Sequence, residues 1–246
     1  MTKLYKSFLV ALLLSVASLA FAGEPFAVVE LFTSEGCSSC PSADAFFTDL
    51  TVEVKNRKAK VYTLGFHVGY WNDLGWVDPF SQEAFTDRQH AYANINKSKT
   101  VYTPQLVVNG QNGFSGNNFE LAQDAINLAL SKQSPAELKL SRLGYDEKKR
   151  RVSFSYIASG DLKNTDLKIA LVAGNLISNV ATGENAGQRL QHTNTVQKFE
   201  SKSLIESQGI VNFEIPRKFD LQNAALVVFI QNSQTLVILA ADGFDL

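Results

Sequence analysis

Hydrophobic residues along this chain fall into two rhythms, one up to about residue 132 and another beyond it. FAVVELFT (26–33) is a run rich in Val, Leu and Phe, the pattern of a buried strand. From Pro41 to about Lys55, Ala45, Phe46, Leu50 and Val54 recur at helical spacing. Pro41 suits a first helical turn, where its missing N–H is not needed, and Asp44 suits the positive end of the helix dipole. AKVYTLGFHV (59–68) predicts a second strand. The aromatic-rich stretch that follows takes on helical character between Pro79 and about Ile95, with Phe80, Ala84, Phe85 and Tyr92 as its expected buried positions. Pro104 immediately precedes a short strand closed by Asn109-Gly110, a strong hairpin signal. Residues 119–132 read as an amphipathic helix with Leu121, Ala125, Leu128 and Ala129 on one face.

Beyond Ser134-Pro135 the rhythm shortens. AELKLSRL, RRVSFSYIAS, DLKIALVAG, a segment near 196–204, IVNFEIP, AALVVFIQ and TLVILAAD are short alternating or buried runs separated by turn signals. About seven such strands predict an all-β, sandwich-like domain. One polar stretch, 174–195, is longer than loops in compact domains usually are, and such loops are usually functional or disordered. It carries Glu184, Asn185, Arg189 and His192.

The N-terminus reads as a signal peptide over residues 1–22. Lys3 and Lys6 precede an apolar run from Phe8 to Leu19, and Ala20-Phe21-Ala22 supplies a small-residue cleavage site. The run is short for a spanning helix, which needs about 20 apolar residues. The expected mature protein is therefore exported, periplasmic or extracellular, without a stable membrane anchor. Its domains are expected at 23–134 and 135–246. The chain of 246 residues has 23 basic and 24 acidic side chains, a net charge of −1. With no basic block, this argues against nucleic acid or an anionic membrane surface as partner.

Export changes how the two cysteines, Cys37 and Cys40, are read. In an oxidising compartment a disulfide is the default for such a pair. Closing a 15-residue loop stabilises a fold by ~3 kcal/mol and a four-residue loop by distinctly less, so a purely structural staple has little to offer here. A thiolate at a helix N-terminus is favoured by the dipole and by free N–H groups. Cys37, ahead of the helix and nearest solvent, is the expected nucleophile, and Cys40, beside Pro41, the expected resolving thiol. Ser38 and Ser39 can donate hydroxyl hydrogen bonds to the sulfur, whereas Glu35 opposes the thiolate. Asp78 and Arg88 are read as a pair for each other. Tyr70, Trp71 and Trp76 are read as packing, or as an aromatic lip beside a redox site.

The order strand, C-x-x-C, helix, strand, then Thr-Pro before a strand and a closing helix, resembles the thioredoxin superfamily. That resemblance implies an α/β thioredoxin-like domain with a helical, aromatic insertion. It also implies that Pro104 is a cis-proline and that the backbone of Thr103 faces Cys37 and any bound peptide. By the same fold, His67 ends the strand beside the C-x-x-C strand, while His192 matters only if its loop folds over this face. ELFTSEGCSSCPSAD, FHVGYWNDLGWVDPF, VYTPQLVVNG and GENAGQRLQHTN together are similar to a family of exported, thioredoxin-like bacterial proteins catalogued as a domain of unknown function, of the DUF1223 type.

The function expected is thiol–disulfide exchange through Cys37 and Cys40 on protein or small-molecule thiol partners, with no cofactor. Two alternatives stand beside it. One is an exported binding or assembly module with a structural disulfide. The other is a copper or zinc site using the two cysteines and a histidine. Met1 is the only methionine, which removes thioether ligands, and two cysteines with one histidine leave tetrahedral zinc short of a ligand. No metal residues are therefore assigned, and no Walker-type loop, dinucleotide fingerprint or H-E-x-x-H motif occurs.

Overall fold

Every residue of β1 (Ala27–Thr33) is buried, Glu30 and Thr33 included, because the strand lies inside a sheet covered on both faces. The computed structural model describes residues 23–246 apart from Lys58 and Asn112, and the expected signal peptide lies outside these residues. Among the described residues no helix is long and apolar enough to cross a membrane. After β1 come α1 (Pro41–Arg57), β2 (Val61–His67), a 3-10 turn (Asn72–Leu74), α2 (Glu83–Ile95), β3 (Gln105–Val108), β4 (Phe114–Ser115) and α3 (Phe119–Leu130). Then follow β5 (Ala136–Asp146), β6 (Arg151–Gly160), β7 (Thr165–Ala173), β8 (Leu176–Asn179), β9 (Arg189–His192), β10 (Thr195–Ser203), β11 (Gln208–Glu214), β12 (Ala224–Asn232) and β13 (Ile238–Asp245).

The protein is mixed α/β, with few helices and one large sheet of eight strands in the order β13-β12-β7-β10-β2-β1-β3-β4. β1 runs parallel to β2 in the register Ala27↔Val61 to Thr33↔His67, and antiparallel to β3. β2 meets β10 through Thr195↔Gly65, the joint between the two halves of the chain. This departs from the expected separate sandwich. β7, β10, β12 and β13 extend the same sheet as β1 and β2, and β5, β6 and β11 form a second sheet of three strands over one end of it. The alternation within β12 supplies the reason. Leu226, Val228 and Ile230 face the core under the small sheet, while Val227 and Phe229 face the core shared with β1 and β2. A strand covered on both faces reads as a continuous apolar run, and such a run does not say which elements cover it.

On the helices, the buried stripes agree with the expected ones at Leu50, Val54, Phe85 and Tyr92 and differ elsewhere. In α1 the buried face is Ala43, Phe47, Leu50 and Val54, and Ala45 is exposed. Phe46 instead stacks on Phe119, ring centroids 4.6 Å apart. In α2 Phe85 and Tyr92 are buried as expected, but Ala84 is exposed and Phe80 precedes the helix. In α3 Ala122 and Ile126 meet the sheet, leaving Leu121 and Leu128 exposed. An alanine there lets the helix approach β1 and β3 closely.

The core beside α2 encloses a charge. Arg88 is buried and its Nε donates to Glu30 Oε1 at 2.6 Å, Nη1 to Gln231 Oε1 at 3.1 Å, and Nη2 to the Tyr92 hydroxyl at 2.9 Å. Tyr92 in turn donates to Glu30. The guanidinium carbon lies 4.8 Å from the Phe199 ring centroid and 5.1 Å from that of Tyr92, so aromatic faces replace water on its remaining sides. Arg88 therefore pairs with Glu30, on the strand that α2 covers, and not with Asp78.

The Asn109-Gly110 signal marks a turn that also ties distant strands together. Asn109, at φ 49°, accepts from Val28 N through Oδ1 at 2.7 Å, and its carbonyl accepts from Ile238 N at 3.0 Å. Gly110 has φ 68°, and a Cβ there would lie 1.9 Å from the Leu236 carbonyl oxygen. Replacing Gly110 with alanine is expected to lower the unfolding free energy by about 1–3 kcal/mol, read as a lower urea midpoint.

Candidate functional site

The strand-to-helix corner after β1 places both cysteines. Cys37 N donates to Ser34 O and Cys40 N to Cys37 O, a tight turn that feeds directly into α1, whose Asp44 N–H bonds Cys40 O. Cys37 and Cys40 are joined by a disulfide, with Cα atoms 5.4 Å apart. Ser39 Oγ lies 3.4 Å from Cys37 Sγ, while Ser38 is exposed and makes no contact of that kind. The Thr103–Pro104 peptide bond is cis. Pro104 reaches the start of α1 across Gly116, where a Cβ would lie 2.8 Å from Pro104 Cβ and 3.3 Å from Ala43 Cβ. Thr103 Oγ1 accepts a hydrogen bond from Trp71 Nε1 at 2.8 Å, so the insertion braces this loop.

Cys37 is only 1% exposed and Cys40 fully buried, so the cysteine expected nearest solvent is itself covered. The cover comes from the polar stretch. β8 and β9 form a hairpin leaving the large sheet between β7 and β10, at the end where β1 and β2 also finish. Asn185, on the loop of that hairpin, donates from Nδ2 to the carbonyls of Glu35 (2.8 Å) and Cys37 (3.0 Å). Glu184 Oε2 accepts from Ser38 N at 3.1 Å, and hydrogen bonding from the Ser38 side chain first, then its backbone N–H, holds the Glu184 carboxyl below the usual range.

Beside the cysteine corner lies a buried polar cluster whose members the sequence read singly and did not bring together. Glu35 is completely buried; Oε1 faces His192 Nε2 at 3.0 Å, and Oε2 accepts from Trp76 Nε1 at 2.8 Å and Ser178 Oγ at 3.1 Å. The other ring nitrogen, His192 Nδ1, lies 3.7 Å from Asp44 Oδ1, while Asp44 Oδ2 accepts from Thr33 Oγ1 at 3.0 Å. Burial opposes the charged imidazole, but the Asp44 and Glu35 carboxylates on its two sides outweigh that and lift the His192 pKa to about 9. The His67 ring is 4.6 Å from that of His192, and its Nδ1 lies 2.7 Å from Asp78 Oδ2. Asp78 Oδ2 also accepts from Glu35 N at 2.9 Å. Burial raises the Asp78 pKa, but His67 and backbone N–H groups overcome it and leave it lowered.

Both histidines thus serve one cluster, whereas His90 lies on the exposed side of α2. Asp44, Asp78 and Asn185 belong to the site as well. Asp44 offered only its helix position as a signal, and Asn185 only its place in a long polar stretch. Among the described residues no group of three or more His, Cys, Asp or Glu is arranged to hold a metal ion.

The sequence profile of the family described as "Protein of unknown function (DUF1223)" matches residues 28–231. The chain belongs to the DUF1223 family. That match runs from β1 into β12 and so spans the cysteine corner and the covering hairpin together. No curated protein matches the chain. Among solved structures, a crystal structure of a protein from Agrobacterium tumefaciens is similar at 23% identity and a TM-score of 0.68, covering 91% of this chain and 96% of that one. HBP35 of Porphyromonas gingivalis is similar at 18% identity and a TM-score of 0.68, covering 92% of this chain and 76% of that one. At these identities the likeness concerns the fold alone.

Proposed function

We propose that this DUF1223 protein is an exported, thioredoxin-like thiol–disulfide exchange protein that works through Cys37 and Cys40 on protein or small-molecule thiols. The observation that carries the reading is the disulfide itself, set in the turn that opens α1 and flanked by the cis Thr103–Pro104 segment. A sulfur leaving as thiolate at this corner is stabilised by the N-terminal end of the helix. Ser39 Oγ is placed to donate to a Cys37 thiolate. The leader sequence over residues 1–22 supports export, into a compartment where such a pair can cycle.

In the reducing direction a partner thiolate attacks Cys37 Sγ. The Cys37–Cys40 bond breaks, Cys40 leaves as a thiolate and takes a proton, and a mixed disulfide joins the partner to Cys37. A second thiol of the partner then attacks its own sulfur in that mixed disulfide and releases Cys37. Two electrons and two protons have passed from the partner dithiol to the pair, and the partner ends as a disulfide. Run backwards, with Cys37 thiolate attacking a partner disulfide, the same steps oxidise the pair.

Removing the resolving thiol tests this reading. A Cys40→Ala variant is expected to accumulate mixed disulfides through Cys37 with glutathione disulfide or exported protein disulfides, seen as mass additions that dithiothreitol removes. Absence of any such adduct, together with a wild-type pair that does not equilibrate with glutathione, would end the proposal.

A further inference from the structure

A disulfide that exchanges with partners must be reached by them, yet Cys37 is only 1% exposed, and residues 180–188 are bonded to the backbone on either side of it. That loop is bonded to itself: Val180 N donates to Gln188 O at 3.0 Å, Gly187 N to Val180 O at 2.8 Å, and Gln188 N to Asn185 O at 3.1 Å. It is therefore built to move as one piece. Three side chains attach it, two to the cysteine corner and one to the insertion beside it. Asn185 Nδ2 bonds the Glu35 and Cys37 carbonyls, Glu184 Oε2 takes the Ser38 N–H, and Thr182 Oγ1 donates to Gly75 O. Gln188 Nε2 donates to Asn185 Oδ1 at 3.1 Å, which fixes the amide with its NH2 toward the corner. Gly183, at φ 80°, lies against Gly75 and Trp76, and a Cβ there would come within 3.1 Å of Trp76 Cβ.

The chemistry of the contacts is that of a peptide. Glu184 supplies an oxygen acceptor to a backbone N–H, and Asn185 supplies an amide donor to a backbone carbonyl one residue away. An extended polypeptide laid across Cys37 would present the same pair of groups from its own backbone, a C=O and an N–H. We propose that residues 180–188 form an autoinhibitory strap, a built-in occupant of the corner, with Asn185 and Glu184 as its latch. A polypeptide thiol then reaches Cys37 by displacing the latch from Ser38 N and Cys37 O. This rests on the exchange reading above, and it names extended polypeptide around a cysteine as the partner that competes with the strap.

The two halves of the latch differ in burial, which separates opening from unfolding. Asn185 is buried, whereas Glu184 is exposed and lies outside the core. The intact oxidised protein, Asn185→Ala and Glu184→Ala would each be reduced with dithiothreitol, and released thiols counted by mass after alkylation. Loss of two hydrogen bonds in Asn185→Ala is expected to speed reduction about ten- to thirty-fold, and loss of one in Glu184→Ala about three- to ten-fold. Urea midpoints measured alongside show that the Glu184→Ala fold is intact. A cysteine-containing peptide held extended should slow alkylation of the reduced Asn185→Ala variant more than that of wild type. Reduction of both variants at the wild-type rate overturns the strap, and so does equal peptide protection in the two proteins. If reduction accelerates but Cys40→Ala never forms mixed disulfides, the strap stands as a cover and the exchange reading falls. If mixed disulfides form and the variants reduce no faster, the reverse holds.

Discussion

Replacing Arg88 with methionine is expected to lower the unfolding free energy by about 3–5 kcal/mol, the largest effect of any single substitution considered for this chain. The side chain is of similar volume, so packing against Phe66, Phe199 and Phe229 changes little. What changes is that Glu30, fully buried, loses the guanidinium that neutralises it and keeps only the Tyr92 hydroxyl. An unpaired buried carboxylate is among the most unfavourable arrangements in a protein interior. Set against a total stability of about 5–15 kcal/mol for an ordinary domain, such a loss is a large share. Urea unfolding at neutral pH measures it. The double variant Glu30→Leu with Arg88→Met removes both charges and should recover most of the deficit. If the single and double variants lose equal amounts, volume and not charge is responsible.

The second large effect is a dependence on pH. His192 titrates near its ordinary value of 6.5 in the unfolded chain and near 9 in the fold. The folded state therefore holds a proton that the unfolded state gives up first. Its contribution is complete below about pH 6.5 and is lost as pH rises to about 9, a decline of about 3 kcal/mol. The groups facing the ring are Glu35 from the corner after β1, Asp44 from α1, and His67 from β2, with Asp78 behind His67. Urea midpoints at pH 6 and pH 9 are expected to differ accordingly, and His192→Gln should flatten the difference. Acidification acts in the other direction through Asp78, whose lowered pKa gives stability that is lost as the carboxyl takes up its proton. A His192→Gln protein with an undiminished decline between pH 6 and pH 9 would assign the effect to other groups.

These two effects arise in places where the sequence spoke very differently. Local signals were strong wherever one element decides its own geometry. The run FAVVELFT became β1, Pro41 opened α1, and Asn109-Gly110 closed β3 in a turn with φ positive at both residues. The two cysteines fell at the strand-to-helix corner because a helix that begins at Pro41 leaves them nowhere else. Periodicity was weaker on the helices. Phe46 and Phe47 are neighbours about 100° apart around α1, so the pattern admits either as the inward residue. Only the sheet beneath selects Phe47, while Phe119 of α3 takes Phe46.

Composition and spacing determined most of the elements, the Asn109-Gly110 turn and the disulfide pair, because those depend on residues within a few positions of one another. The polar stretch 174–195 gave no sign of the β8–β9 hairpin it forms. The tertiary structure alone decided which charges meet. Glu30 and Arg88 are 58 residues apart, and Glu35 and His192 are 157. A hydrophobic pattern reports that a face is covered, and it cannot report by what. The same limit hid the continuity of the large sheet, since β12 carries the same apolar run whether its cover comes from its own half of the chain or the other. It also hid the burial of Cys37. That depends on a hairpin inserted between β7 and β10, and its position follows from the Thr195–Gly65 joint between the two halves.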